Sequence, residues 1–362
     1  MGRWRAVPAG DRAAEIDAKL EIANPAGSPL EEVASNREGQ RPFRRDELTH
    51  TFTRKLAVLG WMALSCIALV PACVSQQSGG QEAPETTVKV DVKLVNVYVT
   101  VSDSHGSPVA GLTKENFQLQ EDGREQKIAV FDKESALPLS IVLAVDTSLS
   151  TRHDLPLEQA AAKRFVRTVI RASDVIAIYG FNEDVRVSAP FTPEVKRAEE
   201  GIDRLKLGAA TALFDAIFSA SRALDRRQGR KVIVLITDGG DTASQVTYRE
   251  AVRAAEEAEA MVYSVIVVPI ESSAGRETGG EHALIQLSED TGGKYYYADS
   301  AAQLDEAFHK ISDELRTQYL LAYYPAEQAS RAAFRRIEVK VAGAGDCTAH
   351  HRVGYYTSKS SF

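Results

Sequence analysis

Side chains that end in oxygen occur at three separated places in the chain where predicted elements begin or end. Asp146, Ser148 and Ser150 lie in the sequence DTSLS, directly after the apolar run LSIVLAV. Thr211 stands just before a predicted helix, and Asp238 follows a second apolar run, KVIVLIT. Open α/β sheets bind ligands beyond the carboxyl ends of their strands, and these three places are predicted to meet there.

Together the five side chains supply two carboxylates and three hydroxyls, with no sulfur or nitrogen donor among them. Hard oxygen donors favour Mg²⁺, with Mn²⁺ or Ca²⁺ as alternatives. In a tightly turning loop, residues at i, i+2 and i+4 can face one ion. Two carboxylates balance its charge, and the neutral hydroxyls leave it electrophilic towards a carboxylate from outside. The pattern therefore predicts a divalent cation site.

An alternation of strands and helices has to position these residues. Apolar runs at 139–145, 175–181 and 231–237 indicate strands buried on both faces, and residues 262–270 and 294–298 indicate further strands. Helical patterns separate them at 157–170, 212–224, 247–260, 283–290 and 300–315. The alternation predicts an α/β fold with a doubly wound, mainly parallel sheet.

Both flanks of this body have the two-residue period of β-strands. Residues 88–101 alternate, and Asp122-Gly123 separates residues 117–121 from 125–131 as a hairpin turn. After the body come strand patterns at 319–324, 335–341 and 352–357. Neither flank has enough strands for a stable sheet alone. We therefore expect the two flanks to pair into one smaller β-sandwich-like domain.

DTSLS matches the DxSxS motif of von Willebrand factor A-type (integrin I-like) domains, which the chain resembles over residues 139–316. In that family these elements form a metal-ion-dependent adhesion site. The resemblance implies that Ser148, Ser150 and Thr211 bind the ion through their hydroxyls. It also implies that Asp146 and Asp238 bind directly or through water, and that a partner's Glu or Asp takes the open position.

A narrower resemblance links the chain to the VWFA-related proteins of acidobacterial genomes. It depends on the flanking sequences VSDSHGSPVAGLTKENFQLQEDG, YLLAYYP and FRRIEVKV. One departure from the family pattern is Ala209-Ala210, which stands before Thr211 where Gly-Gly or Gly-Asn is commoner. A domain of the same fold that has lost metal binding is the alternative interpretation.

An export signal is predicted at residues 54–73. The uncharged stretch 56–70 follows Arg54-Lys55 and is short for a membrane span. Val70-Pro71-Ala72-Cys73 resembles a bacterial lipobox, which would make Cys73 a lipidation site on a periplasmic or cell-envelope lipoprotein. Pro71 departs from the commonest lipobox, so a cleaved signal without lipid, and hence secretion, is the alternative. In either case, we expect the protein to contact the membrane only through the signal or the lipid anchor.

The predicted organisation divides the chain into six segments. They are a disordered leader or incorrectly assigned start at 1–53, the signal at 54–73, a tether at 74–87, a β segment at 88–135, the A-type domain at 138–316 and a second β segment at 317–362.

Composition and motifs exclude several other classes. A net charge of -7 without a basic stripe argues against a nucleic-acid partner. The three cysteines, Cys66, Cys73 and Cys347, form no CxxC pair. No GxSxG, HExxH or GxxxxGK[ST] motif occurs, so we do not expect an enzyme. Asp241 is interpreted as a turn residue, and His153 as a loop residue facing solvent.

The leading hypothesis is an adhesion or scaffolding protein that uses Mg²⁺ to bind an acidic residue of a partner protein. An accessory subunit of an AAA+ ATPase system is the alternative, and it requires a cytoplasmic location. A metal-dependent hydrolase is a third hypothesis, but the sequence offers no general base near the site.

Overall fold

The computed structural model describes residues 94–133, 137–151, 154–268, 278–325, 334–343 and 345–357. The predicted leader, the signal with Cys73, the tether and His153 lie outside these residues. No helix in the described ranges is long and apolar enough to cross a membrane.

The centre of the protein is a six-stranded sheet with the order β10-β9-β8-β5-β6-β7. Its strands are β5 (Leu139–Asp146), β6 (Val175–Phe181), β7 (Val185–Thr192), β8 (Arg230–Thr237), β9 (Ala260–Val267) and β10 (Tyr295–Ala298). Neighbouring strands run parallel except β7, which returns antiparallel to β6 at the edge.

Helices cover both faces of this sheet. They are α1 (Leu155–Val169), α2 (Val195–Asp203), α3 (Leu213–Asp225), α4 (Tyr248–Ala258), α5 (Thr278–Thr291) and α6 (Ala301–Thr317). A capping box opens α4, because Thr247 and Glu250 each accept the other's backbone N–H. Two separate hydrophobic clusters, one against each face, contain residues of β5 such as Leu143 and Ala144. The doubly wound fold is confirmed.

The described parts of the flanks form eight strands in two antiparallel sheets, ordered β13-β1-β11-β4 and β14-β12-β2-β3. Their strands are β1 (Val95–Ser102), β2 (Phe117–Glu121), β3 (Arg124–Gln126), β4 (Ile128–Asp132), β11 (Tyr319–Tyr323), β12 (Phe334–Val341), β13 (Thr348–His350) and β14 (Gly354–Tyr356). Each sheet mixes strands from both flanks, and one hydrophobic cluster joins the two sheets. The expected pairing of the flanks is confirmed.

Local details differ from the sequence prediction. Asp122 and Gly123 have φ values of 49° and 76°, as a type I′ hairpin turn requires, but the predicted strand 125–131 divides at Lys127. Its first part, β3, pairs with β2, whereas β4 pairs with β11 in the other sheet. The division lets one short segment serve both sheets. The sequence patterns also missed β7, α2 and β13.

A buried hydrogen bond across the two flanking sheets gives a test of this pairing. Tyr323 of β11 is fully buried and donates its hydroxyl proton to Glu121 Oε2 of β2 at 2.6 Å. We expect Tyr323→Phe to lower the free energy of unfolding by about 1–3 kcal/mol, because the buried Glu121 side chain loses a hydrogen-bond donor. Tyr324→Phe is the matched control, since Tyr324 is 57% exposed. Urea denaturation of both variants measures the difference, and equal values would contradict the pairing.

Candidate metal centre

Adjacent parallel strands bring two of the predicted carboxylates to the same edge of the sheet. β5 and β8 pair with Val145 opposite Ile236, so Asp146 and Asp238 both leave the sheet at its carboxyl edge. The Thr237 hydroxyl, at the end of β8, donates to Asp146 Oδ2 at 2.7 Å. Asp146 is fully buried and Asp238 is half-buried. The hydrogen bond therefore fixes the Asp146 carboxylate against the end of the neighbouring strand.

A tight turn brings together the two serines of DTSLS. The backbone N–H of Ser148 donates to Asp146 Oδ1 at 2.9 Å, and the Ser148 and Ser150 hydroxyl oxygens are 2.8 Å apart. The Thr151 hydroxyl closes the turn onto the carbonyls of Asp146 and Ser148. Ser148 is buried, whereas Ser150 is exposed. The turn therefore places one hydroxyl inside the protein and the other at the surface.

Thr211 lies on a loop that is hydrogen-bonded both to the DTSLS turn and to the loop that follows β8. The Gly208 N–H donates to the carbonyl of Thr147 at 2.8 Å, which joins this loop to DTSLS. On the other side, the N–H groups of Thr242 and Ala243 donate to the Thr211 carbonyl at 2.8 and 3.0 Å. Three stretches that are far apart in sequence therefore form one hydrogen-bonded surface, and each carries predicted ligands.

The turn after β8 is held by close backbone packing. Gly239 has φ +95°, and its N–H donates to the Thr237 hydroxyl. A Cβ atom on Gly280, at the start of α5, would lie 1.6 Å from the Gly239 carbonyl oxygen. Glycine is required at position 280, because a side chain there would displace the turn that carries Asp238.

Asp241 does more than the turn role that the sequence predicted for it. Its Oδ1 accepts the N–H of Leu213 at 2.8 Å and that of Phe214 at 3.3 Å, in the first turn of α3. Ala212 holds the N-cap position of α3 and has no side-chain acceptor. Asp241 therefore caps this helix from another loop, and it connects the stretch that holds Thr211 to the stretch that holds Asp238. An alanine at an N-cap is the sequence signal that such an external cap is needed.

The electrostatics of the centre favour a cation. Burial raises the pKa of Asp146 to about 6, and the nearby Asp238 raises it too, although hydrogen bonds from Ser148 and Thr237 lower it. Among the described residues, no lysine, arginine or histidine forms an ion pair with either carboxylate. Two carboxylates beside buried hydroxyls, with no protein cation, suit a hard divalent ion.

This donor set differs from a cluster of acids and histidines. In the part of the chain that the structure describes, no three His, Cys, Asp or Glu side chains are placed to hold an ion together. The predicted set contains only two carboxylates, and hydroxyls from Ser148, Ser150 and Thr211 would provide the remaining protein ligands. A bound ion would supply an electrophilic position for a carboxylate.

Comparison with known proteins assigns part of the chain to a known domain family. Residues 141–240 match the family model described as von Willebrand factor type A domain. This part of the chain is a von Willebrand factor type A domain. Such domains generally mediate protein–protein interactions. No curated protein matches the chain. The acidobacterial subgroup stays a prediction.

Several solved structures are similar to parts of the chain. BatB from Bacteroides thetaiotaomicron is 21% identical over 49% of this chain and 100% of its own, with a TM-score of 0.40. The vWF domain of the type V pili tip protein Mfa5 from Porphyromonas gingivalis is 13% identical over 49% and 95%, with a TM-score of 0.42. A von Willebrand factor type A protein from Catenulispora acidiphila is 13% identical over 74% and 75%, with a TM-score of 0.43.

The raised pKa of Asp146 predicts how the stability of the metal-free protein depends on pH. The folded chain holds this proton more tightly than the unfolded chain. The resulting stability is therefore present below the ordinary pKa of 3.8 and is lost as the pH rises through about 6. Asp146→Asn, which cannot ionise, avoids this loss. In EDTA, the stability of the variant relative to wild type should increase by about 2 kcal/mol from pH 4 to pH 7.

Chemical denaturation at the two pH values measures this change. Asp299→Asn is the control, because Asp299 follows β10 at the same edge of the sheet but is exposed. If the difference in unfolding free energy between Asp146→Asn and wild type is the same at both pH values, the pKa of Asp146 is not raised by burial and the prediction is wrong.

Proposed function

We propose that this protein is exported to the cell envelope, binds a divalent cation at its A-type domain, and through it binds an acidic residue of a partner protein. The observation that carries the proposal is the hydrogen-bonded convergence of three separated loops. Together they bear Asp146, Ser148, Ser150, Thr211 and Asp238 at one edge of the sheet. The role is adhesion or scaffolding, and we propose no catalytic step.

The exposure of the proposed ligands to solvent increases across the centre, which supports a coordination position on the ion that a partner can reach. Asp146 is buried at the bottom, Asp238 is half-buried, and Ser150 is exposed at the top. A cation held by such a set is accessible from the side of Ser150. Mg²⁺ is the ion that we propose, with Mn²⁺ or Ca²⁺ as alternatives, because the donors are few, hard and mostly uncharged.

Exposed leucines near the centre support a protein as the partner. Leu149, between the two serines, is 54% exposed, and Leu207, next to Gly208, is 41% exposed. Covering exposed apolar side chains with a partner protein lowers the free energy of the complex. The partner is therefore proposed to present its Glu or Asp beside apolar side chains, so that burial adds to the charge interaction.

The proposed location depends on the sequence of residues 54–73, which lie outside the described residues. A basic pair before a short apolar stretch is typical of a secretory signal, and Cys73 is the proposed lipidation site. Intact-mass analysis of the native protein tests this part separately from metal binding.

Isothermal titration with Mg²⁺ tests the metal half of the proposal. Wild-type protein freed of metal should bind one equivalent, and Asp146→Ala should reduce the affinity below detection because a buried carboxylate is lost. Asp299→Ala, which removes a carboxylate at the same sheet edge, should leave the affinity unchanged. Equal binding by wild type and Asp146→Ala would refute the proposed site.

A further inference from the structure

Helix α1 carries an acid on its core-facing stripe. The residues of α1 that point into the protein include Leu155, Ala162, Phe165 and Val166, and Glu158 stands among them in the first turn. Positions at this spacing face the sheet and are normally apolar. An apolar residue would complete the stripe, so the carboxyl group at this position needs another explanation.

The Glu158 side chain is buried without a hydrogen bond. The residue is 1% exposed, and among the described residues neither carboxyl oxygen has a hydrogen-bond partner. Burying a polar group without a hydrogen-bond partner destabilises the folded protein, and burying an unpaired charge destabilises it more. No arginine, lysine or histidine in the described ranges forms an ion pair with it.

The position of Glu158 is tied to the metal centre through the backbone. The carbonyl of Thr151, in the turn after DTSLS, accepts the N–H of Leu155 at 2.9 Å, so α1 begins directly on that turn. The carbonyl of Asp154 then accepts the N–H of Glu158 at 2.9 Å. Glu158 therefore lies in the first turn of α1, which directly follows the turn that carries Ser148 and Ser150.

The charges of the centre act on this glutamate. Burial is the largest cause that raises the pKa of Glu158 to about 9, and the charges of Asp146, Asp154 and Asp238 raise it further. The positive end of the α1 dipole acts in the opposite direction and favours the ionised form of Glu158. A divalent cation held at the proposed site would offset the negative charges of Asp146 and Asp238, and would therefore favour the ionised form of Glu158.

We propose that Glu158 is an outer carboxylate of the metal centre, which strengthens cation binding through water or through space rather than as a direct ligand. This inference rests on the proposed metal site. A direct role is not proposed, because no three acidic groups in the described residues are placed to hold one ion together. Glu158 would offset the positive charge of the ion from inside the protein, while the side of Ser150 stays open to the partner.

Titration of Mg²⁺ into Glu158→Gln tests the inference. Gln keeps the size of the side chain and removes the charge, and we expect the affinity to fall by about 10- to 100-fold, as for other groups just outside a ligand shell. Glu256→Gln is the matched control. Glu256 is a glutamate of α4 whose pKa is also raised by burial, to about 8, but neither Asp146 nor Asp238 contributes to that rise. The affinity of Glu256→Gln for Mg²⁺ should equal that of wild type.

Melting in EDTA separates this role from a structural one. Glu158→Gln should melt at or above the temperature of wild type without metal, because it removes a buried acid, and should gain less from saturating Mg²⁺. Glu158→Leu, which completes the apolar stripe, repeats the test should the Gln variant fold poorly. Wild-type affinity in the folded variants overturns the inference alone, whereas a wild-type protein that binds no Mg²⁺ overturns the proposed function as well.

Discussion

The hydrogen bond from the Thr237 hydroxyl to the Asp146 carboxylate joins the ends of two parallel strands, and the arrangement of the candidate centre depends on it. Parallel pairing of β5 with β8 ends both strands at one edge, so the turns that follow them must share that space. Backbone hydrogen bonds through Gly208 and Thr211 then bring in the third loop. The position of every predicted ligand follows from strand register and from these few contacts.

The same arrangement is costly for the protein without a cation. Asp146 and Glu158 are both buried, and burial raises the pKa of each carboxyl group. The charge of Asp238 raises both pKa values further, and the charge of Asp146 also raises that of Glu158. Functional centres often hold groups whose burial reduces the stability of the free protein. In our account a divalent ion relieves this cost, which couples metal binding to the stability of the α/β body and makes the centre sensitive to metal supply.

Much of the architecture could be predicted from the sequence because buried parallel strands are runs without charged residues, as in LSIVLAV. The edge strand β7 was missed because it is half-exposed and contains Pro190, which is tolerated at sheet edges. Four of the predicted ligands could be assigned to one edge of the sheet because they follow strands, and Thr211 because it precedes a helix. The cap by Asp241 and the burial of Glu158 could not, since both depend on contacts between residues far apart in sequence; only Ala212 at an N-cap and an acid on an apolar stripe hinted at them.

Water-proton relaxation of the Mn²⁺-loaded protein tests the central claim most directly, because it detects both the bound ion and the water at its open position. Our account predicts that relaxation by Mn²⁺ increases when protein is added, and that acetate then decreases it by replacing the water, with neither effect in Asp146→Ala. Relaxation that stays at the value of free Mn²⁺, or that is the same in wild type and Asp146→Ala, would contradict it.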